Sequence, residues 1–381
     1  MSGKHSILPP SSAGEWVNCS GWVTLNASYP EQPETDDSRD GDAVHELAAI
    51  MIDSRSRANT PPVPKIGDTM SNGVVLTGEM FECATVYADD VEQVMRFHAS
   101  YNPQIEKTLP IPSVWAQQFG TPDCWLWCSK SATLYLWDYK NGHGTVEAFE
   151  NWQAIDYLAG IRDHKGWTGR QDEHINVVVR IVQPRSYHRE GPIVEWKFKL
   201  ADIRGHINKL KSAADESFSR NAKCKTGPHC RHCYPRFACE AALNQGMTLF
   251  ESVSKPLPQP LSIAATGLQL SLIKRAKAQL EYLESSFEQQ VELAIRSGQS
   301  VPGWTTEQKQ GRQKWNRPGE EIIAMGKALK IDLDKHEPIT PKQAIKKGVD
   351  STTVDALSII PNNGVAVVPE STTKAKKVFS K

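Results

Sequence analysis

Asp138 and Lys140 stand two residues apart at the end of the run Leu134-Tyr135-Leu136-Trp137-Asp138-Tyr139-Lys140. A Pro122-Asp123 pair lies shortly upstream, and Gln153 and Tyr157 lie downstream. Side chains alternate across a strand, so Leu134, Leu136, Asp138 and Lys140 share one face, and Tyr135, Trp137 and Tyr139 share the other. Two charges ending an otherwise apolar strand are costly to bury unless they face a ligand, a metal or each other. A lone D-x-K is more commonly a surface ion pair. With Asp123 one short hairpin upstream, however, the pair can hold a divalent cation beside an ammonium group that activates water. That is the outline of a phosphodiester-hydrolysing centre. Gln153 and Tyr157 are i and i+4 on a helix and project from one face of it.

A second chemistry is written in cysteine. Cys224, Cys230, Cys233 and Cys239 follow the order C-x5-C-x2-C-x5-C, with Gly227, Pro228 and Pro235 shaping a tight turn. Two cysteines separated by two residues chelate from a single turn, and two outer ones complete a tetrahedron. Thiolate-only sites suit zinc or an iron–sulfur cluster, and the spacing leaves that choice open. Lys223, Lys225, Arg231 and Arg236 make the segment basic and suited to a nucleic-acid backbone.

The elements that must carry these residues are readable in order. Residues 11–22 predict a short helix capped by Ser11 or Ser12, ending near Cys19 and Gly21. Residues 31–42 are acidic and turn-rich, which predicts a solvated linker. Residues 42–51 predict a helix whose stripe is Val44, Leu47, Ala48 and Met51, with His45 beside it. A Pro-rich loop over 55–72 leads to a helix over about 77–101. The segments 124–128 and 134–140 form a hairpin turning at 129–132. A helical stretch follows over 146–160, then strands over 174–182 and 193–200, then a helix over 201–221. This order predicts an α/β domain with a mixed sheet. Glu106 is a further acid without an evident role.

The last third holds a long helix over 261–298, with a near-heptad seam of Ile273, Ala276, Leu280, Leu283, Phe287, Val291 and Ala294. That seam serves equally for packing on the core or for self-association. Residues 304–316 interleave Trp304 and Trp315 with Lys309, Arg312 and Lys314, and Arg317 follows, a pattern that suits single-stranded DNA or an ordinary hairpin. A short helical segment is expected over 320–329. The tail from Asn362 ends with Lys374, Lys376 and Lys377.

The chain has 381 residues, with 44 basic and 44 acidic side chains, so any nucleic-acid contact must come from a local basic surface. No signal-like or membrane-length apolar run is present, and half of the eight cysteines sit in one metal-type cluster, so a reducing, cytoplasmic setting is expected.

Cys19, His45, Pro122-Asp123, Asp138-Tyr139-Lys140, Gln153-x3-Tyr157 and Cys230-x2-Cys233-x5-Cys239, taken in that order, resemble the RecB-like branch of the PD-(D/E)XK nucleases. The resemblance is to the type found in the AddB subunit and the CRISPR-associated RecB-like nucleases. Within it, the chain is similar to a phage- or prophage-encoded branch often found beside single-strand annealing proteins. It extends to residues 182–185 and 301–303. It implies a restriction-endonuclease-like α/β fold: a mixed central sheet flanked by helices, a Cys-rich metal knuckle and a mainly helical C-terminal appendage. The implied domains are a nuclease domain over 1–260, a helical and hairpin appendage over 261–361 and a flexible basic tail over 362–381. Asp123 and Asp138 would bind Mg²⁺ or Mn²⁺, with His45 and the carbonyl of Tyr139 adding ligands. Lys140 would orient the attacking water, and Gln153 and Tyr157 would contact DNA or steady the site.

Cys19, Cys230, Cys233 and Cys239 would hold a [4Fe–4S] cluster joining the two ends of the nuclease domain. Cys224 departs from that pattern and leaves open a local zinc site of Cys224, Cys230, Cys233 and Cys239. The implied activity is a metal-dependent DNA exonuclease in a phage recombination or replication module, acting in the host cytoplasm. DNA is its substrate and an annealing protein its partner, and the 261–298 helix offers a route to an oligomer. The competing expectation is a non-catalytic nucleic-acid-binding or scaffold protein that keeps the metal site.

Overall fold

A computed structural model describes residues 6–29, 34–58, 60–255, 261–306, 324 and 350–353. The chain divides into two units, residues 1–188 with 192–334, and residues 189–191 with 335–381. In the second, the Thr353 N–H donates to Asp350 Oδ2 at 3.0 Å beside the helical residues 351–353.

In the first unit the N-terminal segment gives a 3-10 turn at Pro10–Ser12, then α1 (Ala13–Trp16) and α2 (Trp22–Ala27). Two long helices follow, α3 (Asp36–Ser56) and α4 (Gly78–His98), and then the short strands β1 (Gln104–Ile105), β2 (Leu109–Pro110) and β3 (Phe119–Gly120). The centre is β4 (Cys124–Cys128) and β5 (Thr133–Tyr139), with α5 (Trp152–Lys165) and α6 (Gly169–Asp172) leading to β6 (Asn176–Val182) and β7 (Ile193–Lys199). The helices α7 (Arg204–Ser217), α8 (Glu240–Ser254) and α9 (Ile263–Arg296) follow.

The expected mixed sheet is present, in the order β1-β4-β5-β6-β7. β4 and β5 form the hairpin, Cys124 opposite Trp137, and β5 runs parallel to β6 with Asp138 opposite Ile181. Only a crossover can join parallel neighbours, and α5 lies within that connection. The alternation of β5 sorts its side chains as expected. Leu134 and Leu136 join Trp125, Val177, Val179 and residues of α1, α5 and α7 in one core. Trp137 and Tyr139 join Cys124, Leu126 and the apolar stripes of α3 and α4 in the other. A strand buried on both faces can present charge only at its end, which is where Asp138 and Lys140 sit.

Several expectations are corrected. The acidic segment read as a linker is helical from Asp36, because Thr35 caps it (Ser38 N–H to Oγ1, 3.1 Å) and Asp36 and Asp37 suit the positive end of a helix. The single helix expected over 11–22 is broken between Trp16 and Trp22. There the Gly21 N–H donates to the Lys223 carbonyl at 3.0 Å. A β-carbon at Gly21 would lie 2.4 Å from the Cys224 backbone nitrogen, so the chain leaves the helix to meet residues 223–225. Helix α8 was not anticipated.

On α9 the buried stripe is Ala276, Gln279, Leu283 and Ser286, not the whole apolar seam. Gln279 donates to the Ala242 carbonyl at 3.3 Å and Ser286 to the Tyr234 carbonyl at 3.4 Å, while Ile273, Leu280 and Phe287 stay exposed. The basic–aromatic stretch from 307 to 316, all of the 320–329 segment but Ala324, and the tail from Asn362 lie outside the described residues. No helix among the described residues is long and apolar enough to cross a membrane.

Candidate metal and catalytic site

One end of the sheet opens into a cavity of 720 Å³ lined by His45, Glu106, Asp123, Asp138, Tyr139, Lys140, Gln153 and Tyr157, among others. Each side chain arrives on a different element. His45 comes from α3, Glu106 follows β1, Asp123 precedes β4, Asp138 lies near the end of β5 and Lys140 just past it, and Gln153 and Tyr157 lie on the first turns of α5. Residues spread over more than a hundred positions therefore share one wall.

Asp123 is oriented by the backbone. The Tyr139 N–H donates to its Oδ2 at 2.7 Å. The same oxygen lies 3.7 Å from His45 Nδ1, and Glu106 Oε1 lies 4.0 Å from that nitrogen. One donor atom from each of His45, Glu106 and Asp123 falls within 4.8 Å of the others, close enough to share a single cation. Glu106 is the residue whose role the sequence did not reveal. Its backbone sits in the left-handed region, φ +46°, and its N–H donates to the Asp123 carbonyl at 3.0 Å. A non-glycine residue adopts that conformation at a cost of about 1–2 kcal/mol, and such strain persists where the surroundings impose it. Burial first, then the Asp123 charge, pushes the Glu106 carboxyl up to about 8. Two carboxylates crowded beside an imidazole are what a divalent cation relieves, so the donor set could hold one.

Asp138 is buried, and burial raises its carboxyl above the ordinary range, with Lys140 opposing and Asp123 adding to the rise. Lys140 Nζ lies 2.9 Å from Asp138 Oδ2 and donates to Asp138 Oδ1 at 3.1 Å and to Gln153 Oε1 at 2.8 Å. Burial alone would lower its ammonium, but the Asp138 and Asp123 charges outweigh it and hold it above its usual value. Gln153 Nε2 in turn donates to Tyr157 Oη at 3.4 Å. The i, i+4 pair thus steadies the ammonium from the helix side, and Tyr139 contributes its amide to Asp123.

The opposite wall is the N-terminal arm: Ser6, Pro9, Pro10 and Ser11 line the same cavity. Its course is fixed by Gln118, whose Nε2 donates both to the Leu8 carbonyl at 2.9 Å and to Asp156 Oδ2 at 2.7 Å. Trp16 Nε1 donates to the Pro9 carbonyl at 3.1 Å. A β-carbon at Gly120 would meet Pro10 Cγ at 2.5 Å, so glycine is what lets the arm close against β3.

The cysteines gather apart from this cavity. Cys19, Cys230, Cys233 and Cys239 are buried, Cys224 is half-buried, and all are unpaired thiols. The Lys225 N–H points to Cys19 Sγ and the Gly227 N–H to Cys230 Sγ, each at 3.4 Å. Burial first, then Cys239 and Cys19, pushes the Cys224 thiol up to about 12. Burial, then Cys230, Cys19 and Cys239, does the same to Cys233. His229, which the sequence reading did not single out, joins the group: its hydrogen bond with Cys19 holds its imidazole above the usual range. Both Cys19 and Cys224 therefore lie within the cluster, and neither sequence alternative is removed.

A family model described as a protein of unknown function, DUF2800, matches residues 5–370. The match covers both the carboxylate cavity and the thiol group, so the chain belongs to the DUF2800 family.

Proposed function

We propose that the protein is a divalent-metal-dependent deoxyribonuclease of the RecB-like PD-(D/E)XK type, working as an exonuclease in a phage recombination or replication module. The observation that carries this reading is the meeting of His45, Glu106 and Asp123 within one cation's reach, in the cavity that also holds the Asp138–Lys140 pair. His45, Glu106, Asp123 and Asp138 would hold Mg²⁺ or Mn²⁺. A bound divalent ion supplies charge neutralisation at the phosphate and a lower pKa for its water. Lys140 would present a compact positive charge to the attacking water, and Gln153 holds that ammonium against α5. Tyr139 fixes Asp123 through its amide, so the carboxylate needs no reorganisation when substrate arrives.

The thiols are read as holding a [4Fe–4S] cluster through Cys19, Cys230, Cys233 and Cys239. Zinc on Cys224, Cys230, Cys233 and Cys239 is the alternative. A brown protein containing iron and sulfide supports the cluster, and a colourless one with stoichiometric zinc rejects it. The activity is tested on linear DNA with Mg²⁺ or Mn²⁺. Degradation that disappears in Asp138→Ala and Lys140→Ala, both still folded, supports the nuclease. A folded, metal-loaded protein that binds DNA without ever cutting it rejects the nuclease in favour of a scaffold.

A further inference from the structure

The residue after Glu106 points to a second polar group. Lys107 Nζ lies 3.4 Å from His164 Nε2 and donates to Gln104 Oε1 at 3.1 Å. Lys165, next to His164 at the end of α5, places its ammonium 5.1 Å from the centre of the Trp125 ring, and the His164 ring stands edge-on to that indole at 6.0 Å. His164 and Lys165 thus both lie against one buried aromatic, and Lys107, from a separate segment, meets them through the His164 ring. The indole's own donor, Trp125 Nε1, is buried with no acceptor among the described residues. Glu106, next to Lys107 in the chain, faces His45 Nδ1 at 4.0 Å, and Asp163, next to His164, has its Oδ2 engaged by the Ser113 N–H at 2.9 Å.

The last turn of a helix raises the pKa of a basic group by its dipole. His164 and Lys165 instead lie below their usual values, held down by burial first, then by Lys107 in both cases, with Lys165 also acting on His164. Like charges gathered at a surface are a place where an anion lowers the free energy. Two of the three are flexible cations with several donors, and the third is an imidazole able to donate when protonated, a set that suits the oxygens of a phosphate. From Gln153 to His164, α5 advances about 16 Å, the length of a few nucleotides of strand.

We propose that Lys107, His164 and Lys165 form a phosphate-binding subsite that grips the nucleic-acid strand several nucleotides from the scissile bond. The proposal rests on the nuclease reading for the identity of the strand, but its test needs no cleavage. Labelled single-stranded DNA is titrated with the full-length protein by fluorescence anisotropy, Ca²⁺ replacing Mg²⁺, over a range of salt. The Lys107→Gln/Lys165→Gln protein should bind about 10-fold more weakly at 0.1 M salt, with a slope of log K against log salt shallower by about 1. In parallel, inorganic phosphate added to the metal-free protein should move the His164 imidazole titration, followed by NMR, to higher pH.

An unchanged salt slope in the double variant overturns the subsite, even if inorganic phosphate shifts His164, since that result describes a free-anion site. A shallower slope in a protein that never cuts DNA supports the subsite and removes only the nuclease. A protein that binds no DNA overturns both.

Discussion

The two candidate metal-binding regions are built in opposite ways. The carboxylate cavity sits on regular structure: β4 and β5 fix Asp123 and Asp138, α3 brings His45 and α5 brings Gln153 and Tyr157. Its donors are held by backbone amides and by one another before any cation arrives. The thiol group hangs on turns and 3-10 segments around Pro228–His232 and Tyr234–Ala238, joined to the N-terminal arm by the Gly21–Lys223 bond. Its buried thiols are pushed up in pKa, so they resist ionising until something takes the place of the protons. The lesson is a division of labour. On the proposed reading, the cavity would need a cation for chemistry, and the thiol group would need one to be complete as structure.

The largest test of that division is a pair of variants. Asp138→Ala or Lys140→Ala should lower DNA cleavage by about 10³-fold or more while leaving the melting temperature near that of the parent. Cys230→Ser or Cys233→Ser should do the reverse at first sight, losing the bound iron or zinc and lowering the melting temperature by several degrees. Equal thermal loss in both pairs breaks the contrast. Next in size, Glu106→Gln should weaken Mn²⁺ binding, read by electron paramagnetic resonance, by about 10-fold or more, the scale of losses at supporting groups of metal sites. Unchanged affinity removes Glu106 from the ligand set.

A pH experiment sharpens the same point. A carboxyl raised to about 8 in the fold is easier to protonate there than in the unfolded chain, so the metal-free protein loses stability as pH climbs from the usual carboxylate range toward 8. A cation that replaces the proton cancels this loss. The rise in melting temperature on adding MgCl₂ should therefore be greater at pH 8 than at pH 6, and a rise independent of pH contradicts the assignment. The smallest effects come from two glycines. Gly21→Ala crowds the Cys224 backbone and should cost about 1–3 kcal/mol with loss of the thiol-bound metal. Gly120→Ala crowds Pro10 and Tyr157 and should perturb DNA handling more than stability.

Much of the cavity was legible because β5 alternates so cleanly that a charge near its end had to be placed deliberately. The hairpin and the i, i+4 pair on α5 follow from equally local rules. Glu106 was not legible: its left-handed backbone is imposed by Asp123, and nothing in the neighbouring residues announces it. The start of α3 was missed because aspartates favour both solvated linkers and helix first turns, and only the Thr35 cap separates the two. The α9 seam misled for a different reason. Apolar periodicity marks a stripe able to pack, whereas α8 and the turn before it meet the side holding Ala276, Gln279 and Ser286, where small and hydrogen-bonding groups allow close approach.

The arm from Ser6 to Ser11 is one wall of the cavity, and the same strand of chain reaches Cys19 a few residues later. Eight positions therefore separate Ser11, the end of that wall, from the Cys19 sulfur that the proposed cluster would use. On the proposed reading, oxidation at that sulfur would reach the cavity wall through this short connection, so an oxygen-exposed preparation should keep its carboxylates and lose affinity for DNA.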